Sequence, residues 1–423
     1  MRANNEAVSE RSQRRGRTHA RRGAHWRRSP AGALVARLVL VGATGAVAAC
    51  GGLPAATGSM RPTVYRWGVV GNDGAVVRLE RHAPTRVAGI LGRVVQIATS
   101  NSDGYALTAS GEVYGWGVNS DGELGQGRLS AYAARAMRIR FPAGVRIVSL
   151  ANPMPFDAAL ALDARGHAWS WGLDVDGDLC TTAVVESRPR QLPIAGVTLV
   201  SGARSHTLLV ARGTTYACGS GVAGELGVGS APATSTPMPV IGLPRGVVVT
   251  ALTTSWEGSG ALLANGDYYD WGYNAAGQLG DGTTINSAVP VKVALPGPVA
   301  RVFQGGSQPN NGQTIAVLKG GAVFAWGDNR RGQLGTGTRT NADIPVPVRV
   351  PRGVSFVAVS SGGYTSYAID SENELWAWGD NRNGQLGTGA PHGLKTRPVK
   401  VGVRLTAVSA TAQNVSGLAA SPG

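Results

Sequence analysis

Acidic and histidine side chains are the residues of this 423-residue chain best suited to bind a metal or to move protons. The segment Asp174-Val175-Asp176-Gly177-Asp178 has the spacing with which a calcium-binding loop begins. The rest of that loop is missing, because Leu179 replaces the turn glycine and Val185 replaces the last carboxylate ligand. The six histidines are dispersed, without metal-site spacing. We therefore predict no metal, no cofactor and no catalytic residue.

Three cysteines are the other reactive side chains. Cys50 follows the small residues Val47-Ala48-Ala49, an arrangement that resembles the bacterial lipobox, in which the cysteine is lipidated and becomes the first residue. We predict lipid attachment at Cys50. Cys180 and Cys218 remain, and in an exported chain they suggest a disulfide. Two buried free thiols are the alternative, because the sequence does not give the Cα–Cα distance that a disulfide requires.

The first 49 residues have the composition of an export signal. They contain ten arginines against Glu6 and Glu10, followed by the uncharged apolar run 38–49. A basic start, a short apolar stretch and small residues before the cut are typical of a secretion signal, and twelve apolar residues are too few to span a bilayer. A disordered or DNA-binding basic tail is the alternative. We predict a leader and signal peptide at 1–49 and a short flexible linker at 50–60.

The leader accounts for much of the positive charge. The formal net charge of the chain is +15, and the ten arginines and two glutamates of the leader contribute 10 − 2 = +8, which leaves +7 for the rest. That excess is modest for a chain of this size and gives no nucleic-acid footprint by itself. The composition therefore disfavours a nucleic-acid partner for the mature protein.

The rest of the chain is built from one repeated unit. The dipeptide Trp-Gly recurs with steps near 50 residues, and Cys218-Gly219 occupies the place of one further copy. A fixed period of this length indicates a repeat architecture. The structural tryptophans of the repeat are Trp67, Trp116, Trp171, Trp271, Trp326 and Trp378.

Each unit has the pattern of one four-stranded blade. Short alternating apolar runs precede each Trp-Gly, and a turn-rich segment such as Asn329–Gly335 (NRRGQLG) and a Pro-Val segment follow it. A blade cannot bury both of its faces alone, but a closed ring of blades can. After the leader, the repeat region begins with the strand-like run Val64–Gly68. It ends with the half-unit from Val403 to Ala420, and together these two fragments make one complete blade. We therefore predict an all-β, seven-bladed propeller over residues 61–423, in which the N-terminal strand closes the last blade.

These motifs resemble the regulator of chromosome condensation repeat family. The resemblance rests on G-x-V-Y-x-W-G, on N-x-x-G-Q-L-G-x-G, and on the half-unit seen at Val200-Ser201-Gly202 with Ser205-His206. It implies a seven-bladed propeller closed in the way just described. It does not imply one function, since members of the family serve as nucleotide exchange factors, chromatin binders, ligase-associated modules, a plant light receptor and secreted enzyme inhibitors.

Differences between the units indicate where a partner binds. The turns between the first two strands of each unit vary, and several place an aromatic residue beside polar ones, as binding surfaces do. Because the turns occupy equivalent places, we expect them on one face of the ring. The candidate partner-binding residues are Tyr105, Phe156, His206, Trp256, Glu257, Asn310, Tyr364 and Gln413.

The sequence leaves three functions open. We expect a monomeric, non-catalytic, exported propeller that is held at the cell membrane or envelope by its lipid anchor and binds a protein or cell-surface component. Free secretion is the alternative location. The other functions are an intracellular guanine-nucleotide exchange or chromatin-binding factor, and a cell-envelope enzyme on a propeller scaffold. The signal-like leader disfavours the intracellular function, and no set of convergent carboxylates supports the enzyme.

Overall fold

The computed structural model describes residues 63–419 except 71–78, 231–232, 307, 309–310, 390–392 and 412–413. The predicted leader, linker and lipidated Cys50 lie outside these residues. Within them the regular secondary structure is β-strand throughout, without α-helices. Consequently, the described residues contain no helix of the length and apolarity that a membrane span needs.

Five antiparallel sheets have four strands each and follow one another along the chain. The first blade contains β3 (Val94–Thr99), β4 (Asp103–Thr108), β5 (Val113–Asn119) and β6 (Ser130–Ile139). The second contains β7 (Ile147–Leu150), β8 (Ala158–Asp163), β9 (His167–Leu173) and β10 (Val185–Ala195). The third contains β11 (Val197–Gly202), β12 (His206–Ala211), β13 (Thr214–Gly219) and β14 (Thr234–Pro239). The fourth contains β15 (Val249–Thr254), β16 (Gly258–Leu263), β17 (Tyr268–Gly272) and β18 (Ser287–Lys292). The fifth contains β19 (Val299–Gly306), β20 (Gly312–Leu318), β21 (Val323–Gly327) and β22 (Ala342–Pro347).

The remaining strands form a seven-stranded sheet that consists of two blades. Its strands are β1 (Val64–Val70), β2 (Leu79–Arg86), β23 (Phe356–Ser361), β24 (Thr365–Asp370), β25 (Glu374–Asp380), β26 (Leu394–Ala410) and β27 (Asn414–Ala419). The long β26 serves both blades, since Val399 pairs with Ala377 of β25 and Val408 pairs with Gly417 of β27. The described residues therefore form seven blades, as predicted.

The N-terminal strand closes the ring. β1 lies between β27 and β2, with Val64 opposite Leu418 and Gly68 opposite Asn414. The seventh blade thus joins the second half of β26 and β27 to β1 and β2, which come from the other end of the described chain. This confirms the predicted closure, and it means that seven units share the faces that single blades would leave exposed.

The repeat tryptophans pack between blades. All six are at most 1% exposed. The indole N–H of Trp171 donates to the carbonyl of Glu123 in the preceding blade (2.7 Å), and Trp378 donates in the same way to Gln333 (2.8 Å). Trp67, Trp171, Trp271 and Trp378 therefore each bury a large apolar surface and satisfy their one polar group across a blade boundary.

Two glycines of the unit are required by close approaches. Gly172, which follows Trp171, has a φ of 106°, and a Cβ there would lie 2.6 Å from the Cα of Ala158. Gly280, which ends NAAGQLG, has a φ of 64°, and a Cβ there would lie 2.8 Å from Cδ1 of Trp326 in the next blade. Both positions combine a left-handed backbone with no space for a side chain.

The NxxGQLG turn is held by hydrogen bonds from its own side chains, as the copy at Asn329–Gly335 shows. The Asn329 Oδ1 accepts from the backbone N–H of Leu334 (2.9 Å), and the Gln333 Oε1 accepts from that of Arg331 (2.9 Å). These bonds fix the turn so that the Gln333 carbonyl faces the tryptophan of the next blade. The constant residues of NxxGQLG therefore act together in joining neighbouring blades.

Candidate functional site

The turns between the first and second strands gather at one end of the ring, which we call the turn face. Backbone hydrogen bonds join the ends of third strands to these turns. The N–H of Leu173 donates to the carbonyl of Asp157 (3.0 Å), and that of Asp380 donates to the carbonyl of Tyr364 (2.9 Å). A depression at the axis is lined by turn residues from most of the blades. The seven blades contribute to the turn face through Asn101, Phe156, Arg204, Trp256, Asn311, Tyr364 and Thr411.

Three consecutive blades bring an arginine and two aromatic rings together on the turn face. The Arg204 guanidinium lies 4.0 Å from the centroid of the Trp256 ring and 5.2 Å from that of Phe156. The two rings meet edge to face, with centroids 5.5 Å apart. These are the geometries of cation–π and aromatic pairing, and all three side chains are only half-buried. We call Phe156, Arg204 and Trp256 the aromatic–arginine cluster.

Backbone and electrostatic contacts hold this cluster in place. The Ser205 hydroxyl donates to the carbonyl of Trp256 (3.1 Å), and the N–H of Asn101 donates to the carbonyl of Phe156 (3.0 Å). Burial, assisted by the charge of Asp121, raises the pKa of Asp157 to about 6, while the nearby Arg204 favours its charged form. The cluster is therefore built across blade boundaries and combines apolar surface with charge.

A second set of charged and aromatic residues extends the turn face over the fifth and sixth blades. Arg330 pairs with the buried carboxylate of Asp328 (2.8 Å), and Arg382 pairs with that of Asp380 (2.8 Å), although both arginines are more than half exposed. The half-buried Tyr364 lies near both arginines on the turn face. The paired carboxylate raises the pKa of each arginine, so both stay charged.

Two predicted binding residues are buried instead. Tyr105 was expected on a turn, but β4 begins at Asp103, and Tyr105 is 0% exposed with its hydroxyl donating to the carbonyl of Glu123 (2.9 Å). His206 begins β12, is 0% exposed, and lies 2.7 Å from the Ser259 hydroxyl of the next blade. Burial lowers the pKa of His206 to about 3 and keeps it neutral. Neither side chain is exposed on the turn face, because both belong to strands in which every residue is buried.

The other predicted binding residues are distributed as follows. Phe156, Trp256, Glu257 and Tyr364 lie half-buried on the turn face, and burial raises the pKa of Glu257. Asn310 and Gln413 lie outside the described residues. The prediction missed Arg204, which joins the two rings. Among the variable turns between first and second strands described above, Arg204 is the single arginine or lysine. That exception in the sequence could have marked it as a candidate binding residue.

The two cysteines predicted as a pair are bonded to each other. Cys180 and Cys218 form a disulfide between the second and third blades, with Cα atoms 5.5 Å apart and both side chains buried. Cys180 has a φ of 55° and occupies the place of the glycine in QLG, whereas Cys218 occupies the place of the tryptophan. The bond therefore replaces the contact that the glycine and tryptophan make at the other boundaries.

The acidic segment at 174–178 is a structural turn. The Asp174 carboxylate accepts from the N–H of Leu179 (3.5 Å) and the Thr181 hydroxyl (2.9 Å), and Asp178 accepts from the N–H of Val175 (2.7 Å). These bonds match those of Asn and Gln in NxxGQLG. Across the described part of the chain, no three His, Cys, Asp or Glu side chains converge to hold a metal ion.

Comparisons with known proteins agree with this architecture. The model of the regulator of chromosome condensation (RCC1) repeat matches residues 265–308, 320–369 and 372–415, and a second RCC1 repeat model matches 356–385. The chain is 29% identical over 318 residues to the ultraviolet-B receptor UVR8 of Arabidopsis thaliana, which covers 73% of this chain and 70% of UVR8. It is 28% identical over 348 residues to the human E3 ubiquitin-protein ligase HERC2, which covers 79% of this chain but 7% of HERC2.

Solved structures show the same fold. Human WBSCR16 superposes with a TM-score of 0.73 at 20% identity, covering 86% of this chain and all of that one. Prp20p of Saccharomyces cerevisiae, described with its binding properties to Gsp1p and histones, superposes with a TM-score of 0.72 at 19% identity over 86% of this chain and 93% of its own. The repeat models therefore find RCC1 repeats within residues 265–415, and the described chain has the propeller fold of these two structures.

Proposed function

We propose that this chain is an exported, lipid-anchored propeller that binds a protein partner or cell-surface component through its turn face and catalyses no reaction. The observation that carries the proposal is the aromatic–arginine cluster. Trp, Tyr, Phe and Arg are the residues that most often dominate the energy of protein interfaces. Here they come from three successive blades and surround an axial depression rather than scatter over the surface.

The cluster is suited to binding because it is already ordered. Phe156 and Trp256 both contact the Arg204 side chain, so little side-chain entropy remains to be lost on association. The half-exposed rings offer apolar surface, and the guanidinium offers donors for carboxylates or carbonyls. A partner that presents an apolar residue next to an acceptor would fit this arrangement.

Two features support the proposed location. Cys50 directly follows a basic leader, an apolar run and small residues, which is the order of a lipoprotein signal. The buried disulfide between Cys180 and Cys218 is a bond that persists mainly in oxidising compartments. Export would supply such a compartment.

The carboxylates of the ring support a binding role rather than a catalytic one. Asp174 and Asp178 hold backbone groups of a turn, and Glu225 accepts from the N–H of Ala223 (2.8 Å). Asp328 and Asp380 are paired with arginines. These acids are occupied in positioning backbone and guanidinium groups.

The proposal is tested by affinity capture from the envelope of the native host with Trp256→Ala. Removing a central aromatic anchor should weaken capture of the partner by on the order of 30-fold or more, since such anchors contribute about 2 kcal/mol or more. Tyr132→Ala is the matched control, because Tyr132 forms a similar pair with Arg66 (6.0 Å to the ring centroid) on the outer strand β6. Equal capture by both variants and wild type would exclude the cluster as the binding site.

The anchor is tested separately by intact mass and fractionation of wild type and Cys50→Ala. A mature N-terminus at Cys50 that carries acyl mass and sediments with membranes is the expected result. An unprocessed soluble wild-type protein would reject export and return the exchange-factor and chromatin functions to consideration.

A further inference from the structure

The end of the ring opposite the turn face carries a continuous row of arginines. Arg146 directly precedes the first strand of the second blade and donates from Nη2 to the carbonyl of Ala109 in the first blade (3.2 Å). Arg165 and Arg212 lie in the turns between second and third strands of the second and third blades. All three side chains are exposed. We call these residues the arginine row.

Backbone contacts make this row continuous. The turn that contains Arg165 joins the third blade, since the N–H of Val197 donates to the carbonyl of Gly166 (2.9 Å). Arg212 packs on the neighbouring Gly196, where a Cβ would lie 3.0 Å from its Cγ. Three blades thus present one arginine after another along the same edge.

Acidic residues near the row are already engaged. Glu112 pairs with Arg138 of the outer strand (2.9 Å). Asp163 is 3% exposed and accepts from the Trp169 indole (3.1 Å) and from backbone N–H groups of its turn. Among the described residues of this edge, the arginines therefore face solvent without an exposed carboxylate to neutralise them. Further around the same end lie the exposed cations Arg93, Arg245, Lys319 and Arg352.

The chain enters the ring at this same end. β5 runs from Val113, next to the turn that Arg146 contacts, toward the turn face, and β1 has the equivalent place in the seventh blade. Thr63, just before β1, accepts from the N–H of Ala419 (2.8 Å) beside the start of that strand. Thr63, the first described residue, therefore lies at the arginine end and not at the turn face.

We infer that the arginine row docks on an anionic lipid bilayer and turns the aromatic–arginine cluster away from the membrane. The orientation rests on the lipid anchor of the proposed function. The linker lets Thr63 lie at most about 45 Å from an acylated Cys50, because an extended chain spans roughly 3.4 Å per residue. Electrostatic attraction to anionic lipids acts only on charges within about 10 Å of the membrane surface. Within the reach of the linker, it therefore favours approach of the end that carries the arginine row over approach of the turn face.

The inference is tested by sedimentation of the full chain carrying Cys50→Ala with phosphatidylcholine vesicles that contain or lack phosphatidylglycerol. Arg146→Gln/Arg165→Gln/Arg212→Gln should reduce partition onto the anionic vesicles on the order of 100-fold, at about 1 kcal/mol per arginine. Raised salt should abolish the difference. The charge-matched control is Arg128→Gln/Arg339→Gln/Lys395→Gln, three exposed cations distant from the row, which should bind within about threefold of the parent.

Because every variant keeps the same leader, the ratio between the two triple variants reports the ring surface alone. Hydrogen exchange gives a readout that needs no variant: anionic vesicles should protect the turns at 143–146, 164–166 and 212–213 but not those at 203–205 and 255–257. Equal losses in both triple variants, protection of the turn face, or stronger binding to duplex DNA than to vesicles would overturn the inference. An unacylated Cys50 would instead reject the anchor and leave the vesicle result unchanged.

Discussion

At the scale of single residues, the most informative differences between blades are acids where the unit usually has glutamine. Glu123 and Glu225 occupy the place held by Gln278, Gln333 and Gln385 in later blades. Both glutamates are 1% exposed, and burial raises the pKa of each to about 7. Their carboxylates accept the same backbone N–H bond as the glutamine side chains do. The hydrogen bond that Ser220 makes with Glu225 does not outweigh the cost of burying the charge, since the pKa of Glu225 still rises.

This gives a stability prediction for Glu225→Gln. The pKa of Glu225 is about 7 in the fold against an ordinary 4.5, so the folded state is favoured below about pH 4.5 and loses that advantage as the pH rises through 7. Replacing the carboxylate should therefore stabilise the protein by about 2 kcal/mol at pH 8 and by little at pH 4.5. Denaturant unfolding at both pH values checks this.

The reciprocal change, Gln278→Glu, is the control and should create a similar loss of stability at pH 8, because Gln278 accepts the equivalent backbone N–H from Ala276 (2.8 Å). A gain from Glu225→Gln that is equal at both pH values would contradict the argument, because it would then come from packing rather than from ionisation.

At the scale of elements, the boundary between the second and third blades differs from its neighbours. Elsewhere the glycine of QLG lies against the tryptophan of the next blade: a Cβ on Gly335 would be 2.8 Å from Nε1 of Trp378. The pair Cys180 and Cys218 replaces both residues at once and joins the blades covalently. The smaller Cys218 leaves the space that the Cβ of Cys180 needs.

We predict that the two substitutions are interdependent. Cys218→Ser should destabilise the protein by about 3 kcal/mol, the value typical of a disulfide that closes a loop of about 40 residues. Cys180→Gly/Cys218→Trp should recover most of that loss, because it rebuilds the contact seen at other boundaries and relieves a left-handed non-glycine residue. Unfolding in guanidinium with and without reductant measures both effects.

Reductant should weaken the wild type and leave the double variant unchanged. If the double variant is as unstable as Cys218→Ser, the disulfide does not stand in for the tryptophan contact.

At the scale of the whole molecule, stability depends on closing the ring with residues from both ends of the described chain. Trp67 of β1 is 0% exposed and donates to the carbonyl of Gln385 in the sixth blade (3.0 Å). Trp67 therefore contributes to the packing of residues that lie more than 300 positions away in the sequence. Contacts of such long range are formed at a large cost in chain entropy, and they hold the first and last blades together.

Trp67→Ala should consequently destabilise the ring by about 4 kcal/mol, as other large-to-small changes of buried aromatic residues do. Hydrogen exchange should accelerate first in β27 and β25, which lie on either side of the boundary between the seventh and sixth blades. Trp256→Ala, at a half-buried site, should cost about 1 kcal/mol. Uniform acceleration across all blades would show that the boundary between the seventh and sixth blades is no weaker than the other boundaries.

The sequence by itself determined the repeat, the number of blades and the way in which the ring closes. Each followed from local chemistry: a tryptophan that needs a buried face, glycines that need a left-handed backbone, and a half-unit at one end that completes the fragment at the other. The turns that gather on one face were also predictable, because equivalent positions of a repeat occupy equivalent places.

The exposure of the turn residues follows only from the tertiary structure. Tyr105 and His206 are buried because β4 and β12 begin earlier than the pattern suggested, and every residue of both strands is buried. The meeting of Phe156, Arg204 and Trp256 depends on turns about 50 residues apart that converge at the axis. The arginine row likewise emerges from separate blades. A sequence pattern records local periodicity, whereas such proximity is set by the curvature of the closed ring.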